Sequence, residues 1–298
     1  MFDKKLTSEV QGLRSSHEAL SQGLQALQQA SLLGAIGQQF QCWRTLLAEQ
    51  RLADPRRLER YGHKCYSQNE EDGILLEIFN RIGVRHRTFI EFGVGDGLEN
   101  NTLFWLAQGW KGLWLDGDPA NRDAIQARFA DRLASGQLLF RQAHIAAENI
   151  DGEFVAAQMT GEIDLLSIDI DGNDYYVFDA IRSVSPRVVV IEYNSKFPPP
   201  IRWRIPYSPQ YRWDGSDWFG ASLQSMEDLF SARGYGLVGC NICGANAFFV
   251  RNDLLGDDLF HAPYTAANHF HPTRYFLTIG LFQHLGGHQP SPRPAIVD

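Results

Sequence analysis

Long apolar runs are missing. No stretch of the 298 residues approaches ~18 consecutive apolar positions, so a membrane-spanning helix is not expected. The opening MFDKKLTSEV has no apolar block behind its lysines, so a secretory signal is not expected either and the reading is a cytoplasmic protein. Cysteine is scarce: Cys42, Cys65, Cys240 and Cys243 are too few and too scattered for a disulfide framework in a chain this long. Cys240 and Cys243 form a C-x-x-C, but no second pair or spaced histidines accompany it. Its surroundings, GLVGCNICGANAFFV, read as two strands and their turn, so buried thiols are expected rather than a zinc or redox site. Positive charge is in deficit, with 27 Lys+Arg against 35 Asp+Glu and a formal charge of −8, which disfavours a nucleic-acid partner. What is present is apolar material, 44% of the chain with 12% aromatic, enough for one large core or two small ones.

Leu6, Val10, Leu13, His17, Leu20, Leu24 and Leu27 are spaced alternately by four and three, a heptad seam with leucine at every d position. Three heptads are marginal as a lone helix, so residues 6–27 need a partner, and homo-oligomerisation is expected over packing within the subunit. From Leu32 to Leu52 the pattern stays helical but broadens, and Asp54-Pro55 breaks it. Three regions follow: an N-terminal helical coiled-coil segment over 1–52, a main domain over 53–255, and a C-terminal extension with a Pro-rich tail over 256–298.

The main domain alternates short apolar strands with helical stretches. Strands are expected at Thr88–Phe92, Gly112–Leu115, Gln137–Phe140, Asp164–Ile168 and Val188–Glu192, with two more near Tyr235–Cys240 and Ala247–Arg251. The last two are too close in sequence for a crossover, so they form a hairpin. The fold class is therefore α/β, a seven-stranded Rossmann-like open sheet of five parallel strands plus an antiparallel hairpin, with ligands at the strand carboxyl ends.

Chemistry-bearing residues gather at those ends. The first strand runs into Glu91-Phe92-Gly93-Val94-Gly95-Asp96-Gly97, then Leu98-Glu99-Asn100-Asn101-Thr102. A dinucleotide fingerprint requires G-x-G-x-x-G, and here the third glycine comes one residue early, which weakens a nicotinamide-dependent oxidoreductase. The G-x-G-x-G spacing resembles motif I of class I S-adenosylmethionine (SAM) methyltransferases. The second strand ends in Asp116-Gly117-Asp118, with a carboxylate placed for a ribose diol, and the third in Ala143-His144, beside the adenine position. His144 has an equal claim as a surface histidine. The fourth strand carries Ser167-Ile168-Asp169-Ile170-Asp171-Gly172-Asn173-Asp174 and the fifth Ile191-Glu192-Tyr193-Asn194.

Together with the block Ser67-Gln68-Asn69-Glu70-Glu71-Asp72-Gly73, these motifs in this order resemble the FkbM-type branch of SAM-dependent methyltransferases over about Lys64 to Arg251. The resemblance implies the class I methyltransferase fold, SAM as cofactor, and O-methylation of a sugar, polysaccharide or glycosylated metabolite. The cofactor residues it points to are Gln68, Glu91, Gly93, Gly95, Asn101, Asp116, Asp118, Ala143, His144 and Asp169. D-I-D-G stands where the family has D-V-E-G.

Methyl transfer to a hydroxyl needs a base to take the departing proton or a metal that makes the alkoxide accessible. Asp169, Asp171 and Glu192 are the candidate catalytic carboxylates. Asp169, Glu192 and Asn194 form an all-oxygen set suited to Mg²⁺ or another divalent cation; the competing reading makes the aspartates helix caps and Glu192 a hydrogen-bonded buried acid. The aromatic, Pro-rich run 197–219 holds three of the seven tryptophans and offers faces for a sugar ring, or packs on the sheet as a lid. A non-catalytic coiled-coil assembly subunit that keeps the fold without the reaction is the alternative function.

Overall fold

The computed structural model describes residues 2–277 and 296–297, with side chains from Glu9 to Leu277. Two compact units divide at Leu46/Leu47. The first is helix α1 (Phe2–Leu47), whose three-four leucine spacing runs without a proline through one continuous helix. No helix among the described residues is long and apolar enough to cross a membrane.

The second unit contains the sheet: β1 (Thr88–Phe92), β2 (Lys111–Asp116), β3 (Leu138–Gln142), β4 (Gly161–Ile168), β5 (Val184–Glu192), β6 (Trp203–Arg204), β7 (Tyr235–Cys240), β8 (Asn246–Arg251) and β9 (Ile296–Val297). Seven of them are ordered β3-β2-β1-β4-β5-β8-β7, while β6 and β9 pair separately. The first five are parallel, and β8 runs antiparallel to both β5 and β7. The expected hairpin is thus present, inserted with its second strand innermost.

Helices α2 (Glu71–Ile82), α3 (Leu103–Ala107), α4 (Pro119–Arg128), α5 (Ala130–Ala134), α6 (Ile150–Ala156), α7 (Asp174–Ala180), α8 (Leu223–Ala232) and α9 (Ala266–His269) complete the unit. Strand alternation sorts the side chains into two cores. Val189 and Ile191 of β5 join Phe249 on one face, and Val188 and Val190 join Phe248 and Val250 on the other. Residues beyond 255 add to the same unit: Phe260, Ala266 and Leu277 are buried in it. The remainder of the Pro-rich tail, residues 278–295 and 298, lies outside the described residues.

Strand order reverses between β1 and β4, and a crevice opens there at the carboxyl ends. The site forms in this crevice.

Candidate active site

The turn after β1 is built from glycine backbone. Gly93 has φ +81° and donates its N–H to Leu115 O at 3.0 Å, so β1 and β2 are tied where they end. A Cβ at Gly93 would lie 1.5 Å from the carbonyl oxygen of Asp169, so only glycine lets the turn pass under the end of β4.

Glu91, at the foot of this turn, accepts hydrogen bonds from Asn101 N, Thr102 N, Thr102 Oγ1 and Ser167 Oγ. It lines the cavity, but these bonds hold the 97–102 loop and β4 together. Burial raises its pKa and the four donors oppose that shift. Asp116, at the end of β2, accepts from Gly95 N at 2.9 Å through one oxygen and from Asp118 N and Asn121 Nδ2 through the other. Asp118 caps α4 by accepting from Ala120 N at 2.8 Å.

The Ser67–Gly73 block is a loop organised by its own acids. Asp72 accepts from the backbone N–H groups of Cys65, Tyr66 and Ser67. Glu71 accepts from Asn69 and from Asn246 Nδ2 of β8. Glu70 accepts from Ile242 N, and burial with Glu71 nearby pushes its carboxyl up to about 8, so it is protonated at neutral pH. These anchors present Gln68 and Asn69 to the crevice.

The cavity has a volume of about 970 Å³. All ten residues expected to hold the cofactor, Gln68, Glu91, Gly93, Gly95, Asn101, Asp116, Asp118, Ala143, His144 and Asp169, line it. Strand order explains this: β3, β2, β1 and β4 are neighbours, so their carboxyl ends fall in one row.

At the β4–β5 end Asp169, Asp171 and Glu192 offer carboxylate oxygens that lie within 4.8 Å of one another. Asp174 creates this convergence. It accepts from Ile170 N and Gly172 N, folding the loop so that Asp171 takes φ +54° and turns back toward Asp169. Burial, then Asp174, pushes Asp171 up to about 6. Burial, then Asp171, holds Asp169 well above the usual carboxylate range, and burial, then Asp169, does the same to Glu192. Glu192 Oε2 is buried with no hydrogen-bond partner among the described residues.

Asn194 does not join this group. β5 ends at Glu192, so the two-residue strand repeat no longer applies. Asn194 instead turns to the 217–221 segment, donating Nδ2 to Asp217 O and Phe219 O and its backbone N–H to Ala221 O. Its place in the acidic group is taken by Asp171.

Of the aromatic run, Tyr211 and Trp213 line the cavity together with Arg212. Tyr211 packs where a Cβ on Gly172 would stand 2.2 Å from its ring, while Phe197 stacks on buried Trp203 at 4.2 Å. Part of the run therefore walls the site and part packs on the domain. His269 and His271 are interior residues; His271 Nε2 pairs with Glu59 at 3.0 Å.

Tyr275 also lines the cavity, and sequence reasoning missed it. It arrives on a strap pinned by Thr273 Oγ1 to Ser195 Oγ, by Arg274 N to Cys243 O, and by the His271 carbonyl accepting from Tyr193 OH. No local pattern around it marks a site. Burial, then Glu192, holds its phenol well above its usual range, keeping it a proton donor. Asn246 was missed too; its signal was its position opening β8, next to Gly244-Ala245. Cys240 and Cys243 are buried free thiols, as their surroundings indicated.

The family described as Methyltransferase FkbM domain matches residues 78–237, more than half of the chain. The chain belongs to the FkbM methyltransferase family. It is accordingly a SAM-dependent methyltransferase, as its motifs indicated. A SAM-dependent methyltransferase from Clostridium acetobutylicum ATCC 824 overlays with TM-score 0.38 and 11% identity, covering 71% of this chain and 98% of its own. The glycopeptide N-methyltransferase MtfA, complexed with S-adenosyl-L-homocysteine, gives 0.38 and 14%, covering 70% of this chain and 96% of its own. Monomeric WbdD gives 0.38 and 16%, covering 64% of this chain and 42% of its own. No curated protein sequence matches the chain.

Proposed function

We propose that this FkbM methyltransferase methylates a hydroxyl of a sugar, polysaccharide or glycosylated metabolite, assisted by a divalent cation at Asp169, Asp171 and Glu192. The observation that carries this reading is the convergence of the three carboxylates, one with a buried oxygen unpartnered among the described residues, in the cavity that Tyr211 and Trp213 also line. The cavity volume of about 970 Å³ is near the top of the ~300–1,000 Å³ range of single-ligand sites, leaving room for an acceptor beside the cofactor.

SAM supplies an electrophilic methyl group on a sulfonium. The glycine turn at Gly93 and Gly95, with Asn101, suits the methionine part, because no Cβ intrudes on the backbone there. Asp116 uses its remaining lone pairs for the ribose hydroxyls, and Ala143 and His144 stand beside the base. Three carboxylates that burial and repulsion drive toward protonation remain ionised against a bound hard cation. In a reaction without a cation, Asp171, pushed up to about 6 by burial and Asp174, is the carboxylate that takes the hydroxyl proton near neutral pH. The test is intact-mass screening of incubations with SAM and a saccharide panel, with and without chelator. A gain of one methyl that disappears with chelator is the expected result; no methylated saccharide in any incubation defeats the reading.

Asp116→Ala should weaken SAM binding by about 1.5–3 kcal/mol, because a charged diol contact is lost. Calorimetry reads this directly, and wild-type protein should show no heat with NAD.

The chain also self-associates through residues 6–27. Deleting residues 1–31 should yield a monomer by light scattering; an unchanged mass would assign the seam to packing within its own subunit.

A further inference from the structure

The seam residues Val10, Leu13, Leu20, Leu24 and Leu27 are 42%, 71%, 76%, 57% and 70% exposed along one face of α1. An apolar line of this length on one helix marks an interaction surface. The next a and d positions are Ser31 and Gly34, so the seam ends at Leu27.

We infer that a second copy of this chain covers this face as a parallel, in-register, two-stranded coiled coil, resting on the self-association proposed above. Charge complementarity fixes the direction. With Leu13 at d, Glu9 is a g residue and Arg14 the following e residue. In a parallel in-register pair g meets the e′ residue five positions on, so Glu9 faces Arg14 of the second copy, and Arg14 faces its Glu9. Within one chain Glu9 and Arg14 are both exposed on α1, and neither side chain has a hydrogen bond or ion pair among the described residues. An antiparallel pair would set g against g′ and e against e′, losing both attractions. The remaining e and g positions inside the seam, Thr7, Ser16, Ser21 and Gly23, carry no charge to compete.

Register follows from His17, the polar a residue at the centre of the seam. In register it meets its own counterpart; a slip of one heptad would bury each imidazole against Val10 or Leu24. Leucine at every d with Val10 at the first a suits two strands.

The test uses the full-length chain and analytical ultracentrifugation. Glu9→Lys and Arg14→Glu should each weaken the dimer by roughly tenfold, since two attractions become two repulsions. The double variant Glu9→Lys/Arg14→Glu should recover wild-type affinity, and an equimolar mixture of the two single variants should form mixed dimers in preference to either homodimer. A wild-type dimer that both single variants leave unchanged overturns the parallel in-register arrangement while leaving self-association standing. A wild-type chain that sediments as a monomer at micromolar concentration overturns both.

Discussion

Glu192→Gln is expected to lower methyl transfer roughly 10²–10⁴-fold, the range for a lost proton-transfer or charge-stabilising group, while SAM affinity changes less than about threefold. Glu192 ends β5, which β4 separates from β1 and its glycine turn, and it meets Asp169 and Asp171 rather than the residues around Asp116. The interaction removed develops only as the acceptor oxygen gains negative charge, so kcat should fall and KM hold. Full activity in excess chelator would remove the cation from the proposal. A rate that then still collapses in Asp171→Asn would leave a carboxylate base alone.

The same cluster sets a pH dependence of stability. Its carboxyls are raised in the folded protein, Asp171 to about 6 and Asp169 and Glu192 further above the ordinary range. The unfolded chain ionises these groups at about pH 4, before the folded one does. Without a cation, stability is therefore full below about pH 4 with respect to these groups, and is lost as pH rises through 6 and beyond. Thermal unfolding in chelator should show this fall, Mg²⁺ should reverse it at pH 8 but not at pH 5, and Glu192→Gln should shrink both effects. A melting temperature indifferent to Mg²⁺ at pH 8 would contradict a cation site.

Gly93→Ala is the second large effect, with an expected loss of more than about 3 kcal/mol of stability and of measurable SAM binding. Two costs combine: a left-handed backbone at φ +81° and a methyl group 1.5 Å from the Asp169 carbonyl oxygen. Relief requires β1 and β4 to part at their carboxyl ends, where Phe92 O accepts from Asp169 N at 3.2 Å. Gly95 offers a contrast, because a Cβ there meets nothing within 4 Å and only its φ of +56° is unfavourable. Gly95→Ala should fold and bind with a smaller penalty; equal melting temperatures for the two variants would contradict the steric account.

The sequence by itself determined the sheet and most of the cavity. The apolar strand cores of β1 and β7 were legible to the residue, since alternation and bounding glycines act over a few neighbouring positions. The acids at strand ends were legible for a related reason: in a parallel sheet every carboxyl end lies on one rim, so Asp116, Asp169 and Glu192 meet there once their strands are assigned.

Tertiary structure decided what lies beyond a strand's last residue. Asn194 follows Glu192 by two, yet the end of β5 releases it to the 217–221 backbone, while Asp174, through two backbone N–H groups, swings Asp171 into its place. Tyr275 reaches the same acids from 83 residues past Glu192 on a strap held by Ser195, Cys243 and Tyr193. Strand periodicity is a local constraint and propagates along the chain. Loop direction is set by which distant backbone groups need partners, and that is defined only after the sheet has brought them together.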